Sequence, residues 1–445
     1  MVASRLYLSL LLLSGNALAL EGPVIERFDV VTEQASPGDG GNAWGGHQCR
    51  IVRTKFGVFT AYTADGGSGG QFNRSWRLMR QTDTGWEEIA SGPSGREPVN
   101  LLAKPDGQLL VVAWPFKQPV IFASRMTKEG QLEMDPAGLP VMMDDPVPGQ
   151  WEMSHWPYNA AGIDADDNLV VCQSPVGHKP GRFNLALRLA GRRDWLWRTV
   201  DMDLRHCYTY LIPAGRQLWI ASSQDVTYRE LGYPIPEKAK SYPYVFNALG
   251  VWCSHDVKGA EPPALLWRKE EPYDPQEMPN PSCKVQETYL DTIGRLHVFY
   301  ALRSPTTDRK ERMYHAVLKD GRVVYDQPSP AHYYCRMVQD SAGRFYILDA
   351  AGDRLRVLVG QDESGTRFAD PIEFDTHGHP VEYAGFGWSA PRTGTPLADT
   401  AEVVYPSGKG KEWVYFRLRL RPENAATQPG TMTNPATTRS AEAGN

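Results

Sequence analysis

The stretch Lys284–Tyr300, KVQETYLDTIGRLHVFY, decides the fold once it is set beside Cys335–Ala350, CRMVQDSAGRFYILDA. Each is a strand-like run, a turn that ends in glycine (Gly294, Gly343), and then a strongly apolar strand. The same unit recurs as CRIVRTKFGVFTAYT (49–63), VNLLAKPDGQLLVVAW (99–114), NAAGIDADDNLVVCQ (159–173) and CYTYLIPAGRQLWIAS (207–222). The remaining turn positions are Gly57, Gly107, Asp167 and Gly215. Spacing is close to 50 residues from Gly57 to Gly107, from Asp167 to Gly215 and from Gly294 to Gly343. The two wider gaps leave room for insertions at residues 144–154 and 224–245. Self-similarity at such a period marks a repeat architecture.

Weaker strand pairs follow the hairpins, as in SWRLMRQTDTGWEEIA (75–90), NLALRLAGRRDWLWRTV (184–200) and RMYHAVLKDGRVVYD (312–326). Four antiparallel strands in about 50 residues make one propeller blade, and radial repetition leaves only short sheet edges exposed. A seventh, degenerate copy runs from AGFGWSAPRT (384–393) through AEVVYPS (401–407) to EWVYFRLRL (412–420) and supplies three strands. The expected fourth is VIERFDVVTE (24–33), closing the ring. The chain therefore reads as an all-β, seven-bladed β-propeller over residues 20–421.

Composition agrees. Of 445 residues, 41 are Gly and 35 Pro, with 13 Trp and 20 Tyr, a mix suited to many short strands and turns. The net charge of −5 gives no support to a nucleic-acid surface. Residues 1–19 (one Arg, an apolar run from Leu6 to Leu13, then Ala17-Leu18-Ala19) read as a signal peptide. No later segment is long enough to span a membrane. The expectation is a secreted or periplasmic monomer. The tail 422–445 lacks large apolar residues and reads as disordered.

Cys49, Cys207 and Cys335 each lie eight residues before their turn glycine, at equivalent places in blades 1, 4 and 6. Non-neighbouring blades hold such positions beyond the ~7 Å that a disulfide spans between Cα atoms. These three are expected to be buried free thiols.

In a propeller, the start of each inner strand and the loop after the second strand share one face, around the mouth of the central channel. Repeat alignment lists that mouth as His47 and Gln48 (blade 1), His155, Trp156 and Tyr158 (blade 3), Arg205, His206, Tyr208 and Tyr210 (blade 4), Lys284 (blade 5), and His332, Tyr333, Tyr334 and Arg336 (blade 6). The loops add His178, Arg229 and Arg303. Aromatic faces stack on sugar rings, Arg and Lys match carboxylates, and imidazoles exchange protons near neutrality. Such a mouth suits an acidic poly- or oligosaccharide. Local pairing offers a plainer account of two of the cations: Arg205 with Asp201 or Asp203, and Arg336 with Asp340. THGH (376–379) reads as a turn, and DADD (164–167) as the repeat's own turn. No cofactor is required, and a structural calcium or zinc ion has no clear motif. The sialidase Asp-box is absent, and the paired carboxylates of ordinary glycoside hydrolysis do not stand out at the mouth.

The chain resembles the BNR-repeat-like seven-bladed propellers, which include polysaccharide lyases acting on ulvan or on rhamnose–glucuronate linkages, and related rhamnosidases. The resemblance implies catalytic roles for His155, His178 and Tyr208, which match that pattern in order and topology. It also implies an arginine after the second strand of blade 4, where this sequence has Ser222, Ser223 and Gln224; Arg229 or Arg205 are the substitutes. His47, in GGHQCR, matches the rhamnosidase position. Three readings follow: a lyase (a carbon–oxygen lyase acting by β-elimination next to a uronic acid), with Arg205, Arg229 or Arg336 neutralising the carboxylate; a glycoside hydrolase of α-L-rhamnosidase type using His47; and a non-catalytic propeller that binds glycan or protein.

Overall fold

The computed structural model describes residues 22–421 apart from segments 37–40, 66–72, 116–118, 129–130, 142–157, 175–180, 238–239, 241–242, 260, 272–281, 305–306 and 383–385. The signal-peptide and tail expectations therefore fall outside the described residues.

Seven antiparallel blades form the ring. Blade 4 is typical: His206–Ala214 lines the channel, followed outward by Gln217–Gln224, Ala248–Ser254 and Ala264–Glu270. In blade 2 the outer strand is split into Leu132–Met134 and Leu139–Pro140, both paired with Val120–Met126. Ring closure is as the sequence indicates. Val24–Thr32 pairs antiparallel with Glu412–Arg419, with Phe28 opposite Phe416 and Val30 opposite Val414. The first strand is thus the outermost strand of the last blade.

Burial explains the repeat's pattern. Second strands have blade neighbours on both faces and strand neighbours on both edges, so they are largely buried and mostly apolar; Leu109–Ala113 is wholly buried. Outer strands face solvent; every residue of Arg322–Pro328 is exposed or half-buried. Blades adhere through shared apolar layers: Tyr210 and Trp219 of blade 4 pack with Val285 and Val298 of blade 5, and Met337 and Phe345 of blade 6 with Trp388 and Val403 of blade 7. Each large apolar side chain so buried contributes ~1.5–3 kcal/mol. The six turn positions named above all have positive φ, from 59° at Gly215 to 125° at Gly57, and Asp167 reaches 67° without being glycine. Its turn is held by Asp164, which accepts from the backbone N–H groups of Asp166 and Asn168. All six cysteines are buried and unpaired.

Two inner strands are irregular at the same height. In blade 4 the register jumps from Cys207↔Ser223 to Tyr210↔Ala221, so Tyr208 and Thr209 face Ser222 alone. In blade 5 it jumps from Val285↔Tyr300 to Glu287↔Phe299, leaving Gln286 as the extra residue. These are β-bulges, which bend a strand and re-aim its side chains.

Candidate functional site

The mouth holds a cavity of about 190 Å³ lined by Trp44, His47, Tyr208, Tyr210, Lys284, Gln286, Tyr334 and Arg336, among others. His47, Tyr208, Lys284, Tyr334 and Arg336 were all expected there from the repeat alignment.

Tyr208 is placed by the blade 4 bulge. Its φ of 55° is left-handed, a conformation that costs a bulky residue ~1–3 kcal/mol. Ser222 offsets part of the disruption. Its Oγ donates to the Cys207 carbonyl at 2.8 Å and contacts Thr209 Oγ1 at 3.0 Å. Ser223 Oγ accepts from the Val285 N–H at 3.0 Å, tying blade 4 to blade 5. Gln224 donates to Asn247 and accepts from Arg268. Of the three residues found in place of the arginine, Ser222 and Ser223 thus hold the two bulged strands in position, and Gln224 ties the second strand of blade 4 to its outer part.

Lys284 reaches over the Tyr208 ring, its Nζ 4.3 Å from the ring centroid and 5.1 Å from that of Phe246. Such contacts are worth ~0.5–2 kcal/mol. Among the described residues, no carboxylate lies within ion-pair distance of this ammonium.

His47 is buried, and its Nε2 lies 3.0 Å from the Asn159 carbonyl oxygen. A carbonyl only accepts, so Nε2 carries the proton and Nδ1 keeps a lone pair. Burial pulls the imidazole pKa down to about 3, aided by Arg392, Arg50 and Lys284 and opposed by the Asn159 bond. His47 is neutral near pH 7. Its ring meets those of Tyr208 and Tyr210 edge-on at 5.7 and 6.2 Å. Arg50 clamps the preceding loop, donating to the carbonyls of Asn42 (2.6 Å) and Trp44. Gly45 in that loop has φ 75°, and a Cβ there would lie 1.8 Å from Gln48 Oε1.

The floor is polar and closed. The Gln286 carbonyl, turned inward by the blade 5 bulge, accepts from the Tyr210 hydroxyl and from Arg336 Nη1. Arg336 also donates to the carbonyls of Phe386 and Cys335 and faces buried Glu287 at 3.5 Å. Burial raises the Glu287 pKa, against the pull of Arg336 and Arg392. Arg392 donates to the His47 carbonyl at 2.7 Å.

Several expected residues have other duties. Arg336 lines the cavity but engages its Nε and Nη1 in the floor, and it pairs with Glu287 rather than Asp340. Arg205 pairs with Asp225, not with Asp201 or Asp203. Its Nη2 lies 2.8 Å from Oδ2, and its Nε donates to the Asp225 carbonyl. That pair is buried, where loss of one partner costs ~3–5 kcal/mol. Gln48 is buried beneath His47, donating to the carbonyls of Pro98 and of the Asn159 side chain. Tyr158 stacks on Trp44 (6.2 Å, 5°), meets Tyr208 edge-on and lies under Arg205. Burial holds its hydroxyl well above the usual phenol range. His206 turns away into the blade 3–blade 4 interface, edge-on to Trp252 at 5.1 Å, and burial lowers its pKa to about 3. Arg229 is exposed on the blade 4 insertion and Arg303 ends a blade 5 strand; neither lines the mouth. His332 and Tyr333 line a neighbouring cavity. His155, Trp156 and His178 lie outside the described residues.

Trp44 and Phe246 were not anticipated. The first stands three residues before His47 in a glycine-rich loop, a signal visible in the sequence. The second closes the blade 4 insertion, outside the repeat, and had none. Among the described residues, no group of three or more His, Cys, Asp and Glu is arranged to hold a metal ion, and no helix is long and apolar enough to cross a membrane.

No protein-family model and no curated protein sequence matches the chain. Solved structures do. The polysaccharide lyase Uly1 superposes with TM-score 0.58 at 12% identity, over 89% of this chain and 99% of that one. The Penicillium chrysogenum α-L-arabinanase complexed with arabinobiose (TM-score 0.42, 10% identity, 72% and 93% covered) and the Pseudomonas aeruginosa periplasmic gluconolactonase PpgL (0.45, 10%, 78% and 96%) are more distant. At these identities the likeness is one of fold.

Proposed function

We propose that the mouth binds an acidic saccharide and cleaves it by β-elimination beside a uronic acid. The carrying observation is the chemistry of the lining: an ammonium without a carboxylate partner among the described residues, a phenol and a neutral imidazole, and no Asp or Glu among the cavity's described lining residues. Ordinary glycoside hydrolysis needs two carboxyl groups flanking the bond. Elimination needs none. It needs the substrate's carboxylate neutralised, so that charge developing at C5 spreads onto it, and it needs a base and an acid.

In this reading Lys284 takes the carboxylate in place of the arginines that the sequence suggested for that role, since Arg205 and Arg336 are already bonded and Arg229 is not among the residues lining the cavity. The Nδ1 lone pair of His47 removes the C5 proton. The C4–O bond breaks, its electrons leave with the oxygen, a C4=C5 double bond forms, and the departing oxygen takes a proton from the Tyr208 hydroxyl; proton return from the His47 imidazolium to the Tyr208 phenolate restores both. His155 and His178 are further acid–base candidates on the resemblance alone. Uly1, a lyase by its name, shares the fold. The test is to incubate the purified protein with uronate-containing polysaccharides and follow the ultraviolet absorbance of the unsaturated uronate. New reducing ends without that absorbance favour the hydrolase reading and His47; retention on the polysaccharide with neither product favours the binding-only reading.

A further inference from the structure

We infer that the cavity between blades 5 and 6 is a second saccharide subsite, occupied by sugar units of the same chain that fills the mouth; this rests on the reading of the mouth as a saccharide site. The second cavity measures about 550 Å³, within the ~300–1,000 Å³ common for small-molecule sites. Tyr334 lines both cavities, so the two are contiguous across one aromatic ring. A glycan leaving the mouth over Tyr334 enters the second cavity next.

Its walls have the right chemistry. Tyr333 stands edge-on to Tyr334, with ring centroids 5.0 Å apart at 85°, so each ring limits the other's rotation. Met313, Ala331 and Val381 add an apolar surface, and His332 and Glu311 bring polar groups to the opening. An aromatic and aliphatic wall with a few polar groups matches a pyranose, which has an apolar C–H face and a hydroxyl rim. The segment is fixed from beneath. The His332 N–H donates to Asp349 Oδ2 at 2.7 Å, and Asp349, itself buried, faces Arg356 at 3.4 Å. The aromatic pair is therefore held by a buried ion pair before any ligand arrives.

The test uses ulvan and its size-fractionated oligosaccharides with the full-length protein, comparing wild type, Tyr333→Ala, His332→Ala and Lys284→Ala. His332 is exposed and Tyr333 half-buried against the core, and neither lines the mouth cavity; a melting curve of each variant shows that it folds. For Tyr333→Ala, kcat/KM on long chains should fall roughly tenfold while the shortest cleavable oligosaccharide is turned over at the wild-type rate. Equal loss on both lengths, or loss on neither, overturns the subsite. Affinity electrophoresis in ulvan gels separates this from the elimination reading, because it needs no turnover. Wild type retarded without forming any unsaturated product, and Tyr333→Ala less retarded, would sink the elimination and keep the subsite. Identical retardation of wild type and Tyr333→Ala, or none for either, removes it.

Discussion

The Lys284 ammonium stands 4.3 Å from the centre of the Tyr208 ring, and each residue is delivered by a bulged inner strand, one in blade 5 and one in blade 4. The bulges lie at one height, so the cation and the phenol meet over a common cavity. Ser223 Oγ and the Val285 N–H join the two strands beside that meeting point. Positioning here comes from backbone irregularity locked by serine side chains.

Lys284→Met keeps the stem and removes the charge. Loss of one preorganised electrostatic group should lower kcat by ~10²–10³, while stability falls by no more than the ~0.5–2 kcal/mol of the lost cation–ring contacts, because the head group has no described ion-pair partner. Steady-state kinetics on a uronate polymer and a melting curve check both halves. Wild-type turnover in this variant would remove Lys284 from the chemistry.

Tyr208→Phe separates packing from proton transfer. The ring contacts with Tyr158, His47 and Lys284 survive, so the fold should hold, while turnover falls by ~10²–10⁴ if the hydroxyl is the acid. An unchanged rate would hand the proton transfers to His47 or to the candidates outside the described residues.

Ser222→Ala leaves the Cys207 carbonyl without its donor in a buried strand. The expected cost is ~1–3 kcal/mol in stability. Activity should fall by more than that loss of folded protein explains, because Tyr208 is no longer held. Denaturant titration and kinetics on the same preparation compare the two; a destabilised variant with full specific activity would contradict the positioning role.

Stability should decline on acidification. His47 and His206 are held neutral by burial, with pKa values pulled from the ordinary 6.5 to about 3, and burial also lowers those of His297 and His315. At these four sites the unfolded chain therefore takes up protons below pH 6.5 that the folded chain refuses, at His47 and His206 until about pH 3. The stabilisation is fully present above pH 6.5 and drains away as pH falls between those values, by up to ~1.4 kcal/mol per pH unit for each such group. Urea midpoints at pH 7 and pH 5 test this; equal midpoints would mean that these imidazoles titrate normally.

The seven-fold architecture was legible because six blades repeat one hairpin whose turn demands positive φ, leaving Gly or Asp in register, and the degenerate seventh still shows its strands. The mouth was partly legible for the same reason: inner-strand entries locate His47, Tyr208 and Lys284 without coordinates. What could not be read was engagement. Arg205 and Asp225 are separated by a whole hairpin, and the Arg336–Glu287 pair joins two blades, so proximity in sequence pointed to the wrong carboxylates. Nor does a strand's residue pattern announce a bulge: Tyr208 and Gln286 owe their placement to register shifts that alternation cannot show.

Because Val24–Thr32 pairs with Glu412–Arg419, the first described strand must wait for the last described one before its edge is covered. Until then that ribbon offers unmatched amide groups to any partner it meets. Truncated chains that lack Glu412–Arg419 are therefore expected to associate through the open edge, the natural cost of a torus whose clasp is fastened last.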